Sequence, residues 1–189
     1  MVYYIIFIML FIFIVYYNSA YWKPVKAPFF ISDKMKIIGH RGVPKLEYEN
    51  TINSFNKALE LKLDGVELDV QFSLDKKLVV YHNWTCDQIN VKEQNINNLD
   101  FSILKNISLD NIKSNKIPLL HEVLEILPKD FIKIVEIKSK NILNTGIERQ
   151  VLSLIEQYDF IDNTIISSFN PFVLRRIKEN TSLTTKDKL

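Results

Sequence analysis

Cysteine, glycine and proline are all scarce here: one, four and six respectively in 189 residues. A single thiol, Cys86, excludes an intramolecular disulfide framework. So few glycines and prolines exclude collagen-like, linker-like and low-complexity chains. Net charge is small as well, because 24 basic side chains stand against 22 acidic ones for a balance of +2. That leaves no bulk electrostatic case for binding nucleic acid or another polyanion. A GxSxG elbow, a Walker loop and a Cys-His nucleophile pair are missing, and no repeat recurs at a fixed period.

Charge is absent altogether between Met1 and Trp22. At about 1.5 Å per residue a helix of that length reaches roughly 33 Å, so residues 1–22 are expected to form a single-pass transmembrane anchor. Tyr3, Tyr4, Tyr16, Tyr17, Tyr21 and Trp22 crowd its two ends, where amphipathic rings sit at lipid headgroups. A cleaved signal peptide is the alternative, but a basic leading region is missing and Asn18-Ser19-Ala20 is a poor cleavage site. Lys23, Lys26, Lys34 and Lys36 follow the segment, so the positive-inside rule favours the cytoplasmic side for the remainder and leaves the opposite orientation open. Residues 23–34 read as a short stiff linker through Pro24 and Pro28, and residues 35–189 give room for one globular domain.

Within that domain, apolar runs at 35–39, 65–70, 78–82, 131–138 and 164–169 are expected strands. Ile52, Phe55, Ala58, Leu59 and Leu63 recur at helical spacing behind a cap at Asn50 or Thr51. Further helices are expected from Ile117, from Gly146 to Tyr158 and from Phe172 to Asn180, with an irregular polar excursion at 83–115. Strands alternating with helices predict a parallel α/β architecture of five strands.

The strongest chemical signal is Glu67 and Asp69, two apart on a strand whose other positions are Val66, Leu68 and Val70. Period two sends both carboxylates to one side, where like charges need a cation or a shared proton. Glu136, on another apolar strand, supplies a third carboxylate. Oxygen ligands without a thiolate cluster point to a hard divalent cation, Mg²⁺ or Ca²⁺. Lys138, on the same face as Glu136, can pair with these carboxylates. His40 and His82 both end strands, and imidazoles serve as acid and base at neutral pH. Arg41 offers a guanidinium fork for phosphate oxygens. Gly39, Gly42 and Gly65 are three of the four glycines, and their concentration marks close backbone approach. His121 reads as a surface residue at a helix start.

Gly39-His40-Arg41-Gly42, Glu49-Asn50-Thr51 with Ser54-Phe55 and Ala58, Asp64-Gly65-Val66-Glu67-Leu68-Asp69-Val70 and Val79-Val80-Tyr81-His82 follow one another. So do Ile117-Pro118-Leu119-Leu120, Glu136-Ile137-Lys138 and Ser167-Ser168-Phe169-Asn170. In that order, over residues 36–178, they resemble the glycerophosphodiester phosphodiesterase family. The resemblance implies a TIM-type (β/α)₈ barrel with its site at the C-terminal strand ends. It also implies His40 and His82 as acid and base, Arg41 and Lys138 on the phosphate, and Glu67, Asp69 and Glu136 on a divalent cation. The implied reaction hydrolyses a glycerophosphodiester to glycerol 3-phosphate and an alcohol.

Three positions depart from the family pattern: Tyr48 in place of proline before Glu-Asn-Thr, Asn83 in place of aspartate after the second histidine, and Leu63 ahead of the Glu-x-Asp strand. The length adds a further expectation, since residues up to Leu189 reach about five of eight strands, so the barrel is expected to be truncated. An inactive membrane-tethered remnant and a phosphatidylinositol-type phospholipase C relative are the alternative readings.

Overall fold

Gly65–Phe72 is buried on both faces except at the half-buried Glu67, as suits a strand with neighbours on either side. In the computed structural model, which describes residues 2–20, 34–86, 94–110 and 115–186, that strand is the centre of the sheet. The chain divides into two compact units, Met1–Asp33 and Lys34–Leu189. Of the expected linker, only Lys34 lies within the described residues.

The first unit contains helix α1, Val2–Ala20, whose side chains are exposed from Val2 to Tyr17. Among the described residues no helix is long and apolar enough to cross a membrane, which corrects the expected single-pass anchor and the membrane location built on it. The physical reason lies in the tyrosines. Between Tyr4 and Tyr16 the unbroken apolar run is Ile5 to Val15, about 17 Å of helix against a hydrocarbon core of about 30 Å.

The second unit starts with β1, Ile38–His40, followed by α2, Ile52–Glu60. Thr51 caps α2, its hydroxyl accepting from the Ser54 amide at 3.2 Å. Next come β2, Gly65–Phe72, and β3, Leu78–Val80. A short helix, α3 (Phe101–Leu104), precedes α4 (Leu120–Ile126), β4 (Ile132–Ile137), α5 (Ile147–Gln157), β5 (Thr164–Ser167) and α6 (Pro171–Lys186). The last helix runs beyond Asn180, where the sequence reading ended it.

Four strands are parallel in the order β1-β2-β4-β5, whereas β3 pairs antiparallel with β2. The expectation of five parallel strands is therefore corrected to four and a hairpin. Only residues 73–77 separate β2 from β3, and a parallel connection needs a crossover of a dozen residues or more. The turn is locked by Ser73, whose hydroxyl donates to Asp75 at 2.6 Å and accepts from the Lys77 amide at 3.0 Å.

On one face of the sheet Val66, Leu68 and Val70 align with Val135 and Ile137. Phe55 and Ala58 from α2, Val123 and Leu124 from α4, Val151 and Ile155 from α5, and Val173 from α6 complete this core. The segment expected to be irregular builds a second core, in which Cys86, Ile96, Leu99, Leu104, Leu109 and Ile117 pack with Val79 and Tyr81. Helices thus cover one face, and the opposite face of β2 presents Glu67, Asp69 and Gln71.

Candidate active site

Glu67 and Asp69 project from β2, and Glu136 stands beside Asp69 on the next strand in register. One oxygen from each of the three lies within 4.8 Å of the others. The expected triad is therefore brought together. Asp69 is buried and its Oδ1 makes no hydrogen bond among the described residues. Its Oδ2 accepts from Asn50 Nδ2 at 2.9 Å, while the Asp69 amide donates to Asn50 Oδ1 at 3.2 Å. Asn50 is itself fully buried in the left-handed conformation, φ 57°. Burial, reinforced by Asp69, pushes the Glu67 carboxyl up to about 7, against donation from the Arg41 amide at 3.0 Å.

A buried acid with an unbonded oxygen inside a group of three hard oxygen donors is the environment a divalent cation suits. Glu67, Asp69 and Glu136 could hold it.

The expected phosphate contacts surround the triad. Lys138 Nζ lies 3.3 Å from Glu136 Oε1 and 3.6 Å from Asp69 Oδ1, so this nearly buried side chain forms the carboxylate pairing that the spacing allowed. Arg41 bridges Glu49, at 3.1 and 3.2 Å, and Asp69 Oδ2, 3.3 Å from Nε. The Arg41 backbone is left-handed, φ 55°, and Gly42 follows at φ 83°. A Cβ at Gly42 would stand 2.3 Å from Ser54 Oγ, which donates to Arg41 O at 3.1 Å and accepts from the Val43 amide at 2.8 Å. Glycine is required there by both space and dihedral.

The two histidines arrive by different routes. His40 ends β1 opposite Glu67, its exposed ring placing Nε2 3.8 Å from Glu67 Oε2. His82 follows the antiparallel β3, not the C-terminal end of a parallel strand. Both β1 and β3 pair along the edge of β2 away from β4, β1 at residues 65–67 and β3 at 70–72. Their ends therefore converge on one gap beside Glu67 and Asp69, where the Tyr81 amide bonds Asp69 O at 3.0 Å. His82 Nδ1 meets Asn83 Oδ1 at 2.9 Å. With a carbonyl oxygen there Nδ1 is the donor, and Nε2 of the neutral ring keeps its lone pair. His121 is half-buried at the start of α4, away from this group.

Four further residues shape the site without having been singled out for it. Asn50 and Glu49 orient Asp69 and Arg41. Gln71, buried two positions beyond Asp69, donates Nε2 to Tyr81 O at 2.7 Å and Asn83 O at 2.9 Å, clamping the backbone on both sides of His82. Trp84 lies beside Lys138, whose Nζ is 5.3 Å from the ring centre. Gln71 was legible as the next position on the acidic face. Glu49 and Asn50 stood in a quoted block, but no spacing rule assigns them to β2.

The profile of the glycerophosphoryl diester phosphodiesterase family matches residues 40–187. A glycerophosphodiester phosphodiesterase of Caldanaerobacter subterraneus is 39% identical over 152 residues, covering 77% of this chain and 63% of that protein. One from Bacillus altitudinis is 32% identical over 142 residues, covering 71% of this chain and 58% of its own length. The crystal structure of a glycerophosphodiester phosphodiesterase from Thermotoga maritima superposes with a TM-score of 0.63 at 33% identity, covering 76% of this chain and 58% of that one. The chain spans about three fifths of the length of these relatives. The α/β fold that the resemblance implied accords with them. With the family's blocks assembled around one acidic centre and its profile matched over most of the sequence, the chain belongs to the glycerophosphoryl diester phosphodiesterase family.

Proposed function

We propose that residues 35–189 form a catalytic unit that hydrolyses glycerophosphodiesters to glycerol 3-phosphate and an alcohol, dependent on Mg²⁺ or Ca²⁺. The observation carrying this reading is the group of three carboxylates from two adjacent strands, with Asp69 Oδ1 buried and unbonded. Glu67, Asp69 and Glu136 would hold the cation. When bound, it offsets charge on the phosphate oxygens and lowers the pKa of an attacking hydroxyl. Arg41 and Lys138 orient the phosphate by turning from carboxylates they already touch. His40 and His82 divide the proton work: one accepts the proton of the attacking oxygen and the other protonates the departing alcohol oxygen as its bond to phosphorus breaks. His82 is suited to this by a fixed backbone and a ring whose Nδ1 is engaged. The family membership and the relatives' activity support the reading. No feature of the site favours the inactive-remnant or phosphatidylinositol-type readings.

The test is release of glycerol 3-phosphate by the purified full chain from glycerophosphocholine and glycerophosphoethanolamine with Mg²⁺, with Ca²⁺ and with EDTA. Release with a metal and none with EDTA is expected. No release from either substrate with either metal refutes the activity.

A further inference from the structure

Beside the acidic centre, the indole of Trp84 meets two ammonium groups. Lys138 Nζ is 5.3 Å from the ring centre and Lys140 Nζ is 4.6 Å from it, so the two nitrogens are no more than about 10 Å apart. They differ in their other partners. Lys138 is nearly buried and pairs with Glu136 and Asp69. Lys140 is exposed, just beyond the end of β4, and among the described residues no carboxylate comes within 4.0 Å of its Nζ. A divalent cation together with Arg41 and Lys138 would offset the charges of Glu49, Glu67, Asp69 and Glu136. Among the described residues this leaves the positive charge of Lys140 without a carboxylate partner, held on an aromatic face near the reacting centre. Trp84 is half-buried and follows His82 by two residues, so the clamp that Gln71 places on Tyr81 and Asn83 also fixes where the indole starts.

We propose that Lys140, supported by Trp84, reads the variable alcohol of the substrate and selects phosphodiesters whose alcohol carries a second negative charge over those whose alcohol is neutral or a quaternary ammonium. This rests on the hydrolytic reading above and deepens it. With the phosphate near Arg41, Lys138 and the histidines, a group a few ångströms along the alcohol comes within range of Lys140. A phosphate or carboxylate there gains an ion pair, whereas a quaternary ammonium meets like charge and an aromatic face already engaged by two lysines.

The experiment compares three substrates on the full chain at low ionic strength: glycerophosphoinositol 4-phosphate, glycerophosphoinositol and glycerophosphocholine. The first two differ only in the added phosphate. We expect kcat/KM to be about fivefold higher for the 4-phosphate than for glycerophosphoinositol, the gain from one solvent-screened ion pair. In Lys140→Gln that ratio should fall to near one, and in Lys140→Arg it should persist. Added NaCl should shrink it. Tryptophan emission titrated with the same compounds, with Trp84→Phe as the background, reports the preference without turnover. Equal kcat/KM values for the inositol pair, or a ratio unchanged in Lys140→Gln, overturn the proposal while leaving hydrolysis standing. If no compound is hydrolysed, a Lys140-dependent emission preference for the 4-phosphate sustains the selection and refutes only the activity, and no preference refutes both.

Discussion

Asp69 shows how much of a site rests on one side chain. It touches Asn50, Arg41 and Lys138 and is almost fully buried. Asp69→Asn keeps the shape but removes the charge central to the triad, so activity should fall by about a hundredfold or more and the thermal response to added Mg²⁺ or Ca²⁺ should vanish. Metal titrations followed by thermal shift, alongside the glycerol 3-phosphate assay, check both. Gly42→Ala tests the backbone instead of the charge. Its methyl would displace Ser54 and strain a left-handed turn, which should destabilise the fold by about 2 kcal/mol and lower activity together, read from urea denaturation and kinetics. At this scale the acidic group was legible: Glu67, Asp69 and Glu136 are brought together, and His40, Arg41 and Lys138 each come within 4.0 Å of one of them, while the side-chain contact of His82 is to Asn83. Asn50 was less legible because its partner is 19 positions away on another element. A polar side chain before a helix reads as a cap, which is what Thr51 proved to be.

Among the elements, β2 unites site and core, since Glu67, Asp69 and Gln71 lie on one face and its even positions share a core with α2 and α5. Phe55 of α2 is fully buried in that core; Phe55→Ala should cost about 3–5 kcal/mol of stability, measured by urea denaturation. β4 carries a different stress. Lys133 is buried, its Nζ donating to Pro128 O at 2.6 Å and Lys129 O at 3.1 Å and lying 3.6 Å from the Phe160 ring centre. Burial lowers it from 10.5 to about 8, opposed by Asp130. Below about 8 the amine is protonated in folded and unfolded chains alike, and the full cost of burying the charge is present. As pH rises toward 10.5 the folded state has lost a proton that the unfolded chain still binds, so stability is regained. Relative to Lys133→Met, the wild type should therefore gain between pH 8 and 10, followed by urea denaturation across that range. The two corrected elements both turn on length. Five residues cannot carry a parallel crossover, and eleven unbroken apolar residues give a shorter apolar span than the charge-free stretch of 22 suggested.

At the scale of the whole molecule, a cation at the acidic centre would couple to stability. Three carboxylates gathered on a folded scaffold are scattered in the unfolded chain, so a cation that binds only the folded form stabilises it by mass action, about 2.7 kcal/mol at a hundredfold excess over Kd. Added Mg²⁺ or Ca²⁺ should raise the Tm of the full chain by roughly 5–10 °C, and EDTA should reverse it. A Tm indifferent to both metals would remove the triad's role as a cation site.

Sequence by itself determined the family and the candidate acidic group, because period-two placement of Glu67 and Asp69 and the order of short motifs are properties of the chain alone. The tertiary structure decided how those groups meet. Strand register sets Glu136 against Asp69, a hairpin returns His82 to the edge already occupied by His40, and Gln71 and Asn50 lock the result. Hydrogen bonds between residues distant in the chain form only once strands pair, so the supporting contacts depend on the fold while the reactive groups can be read beforehand.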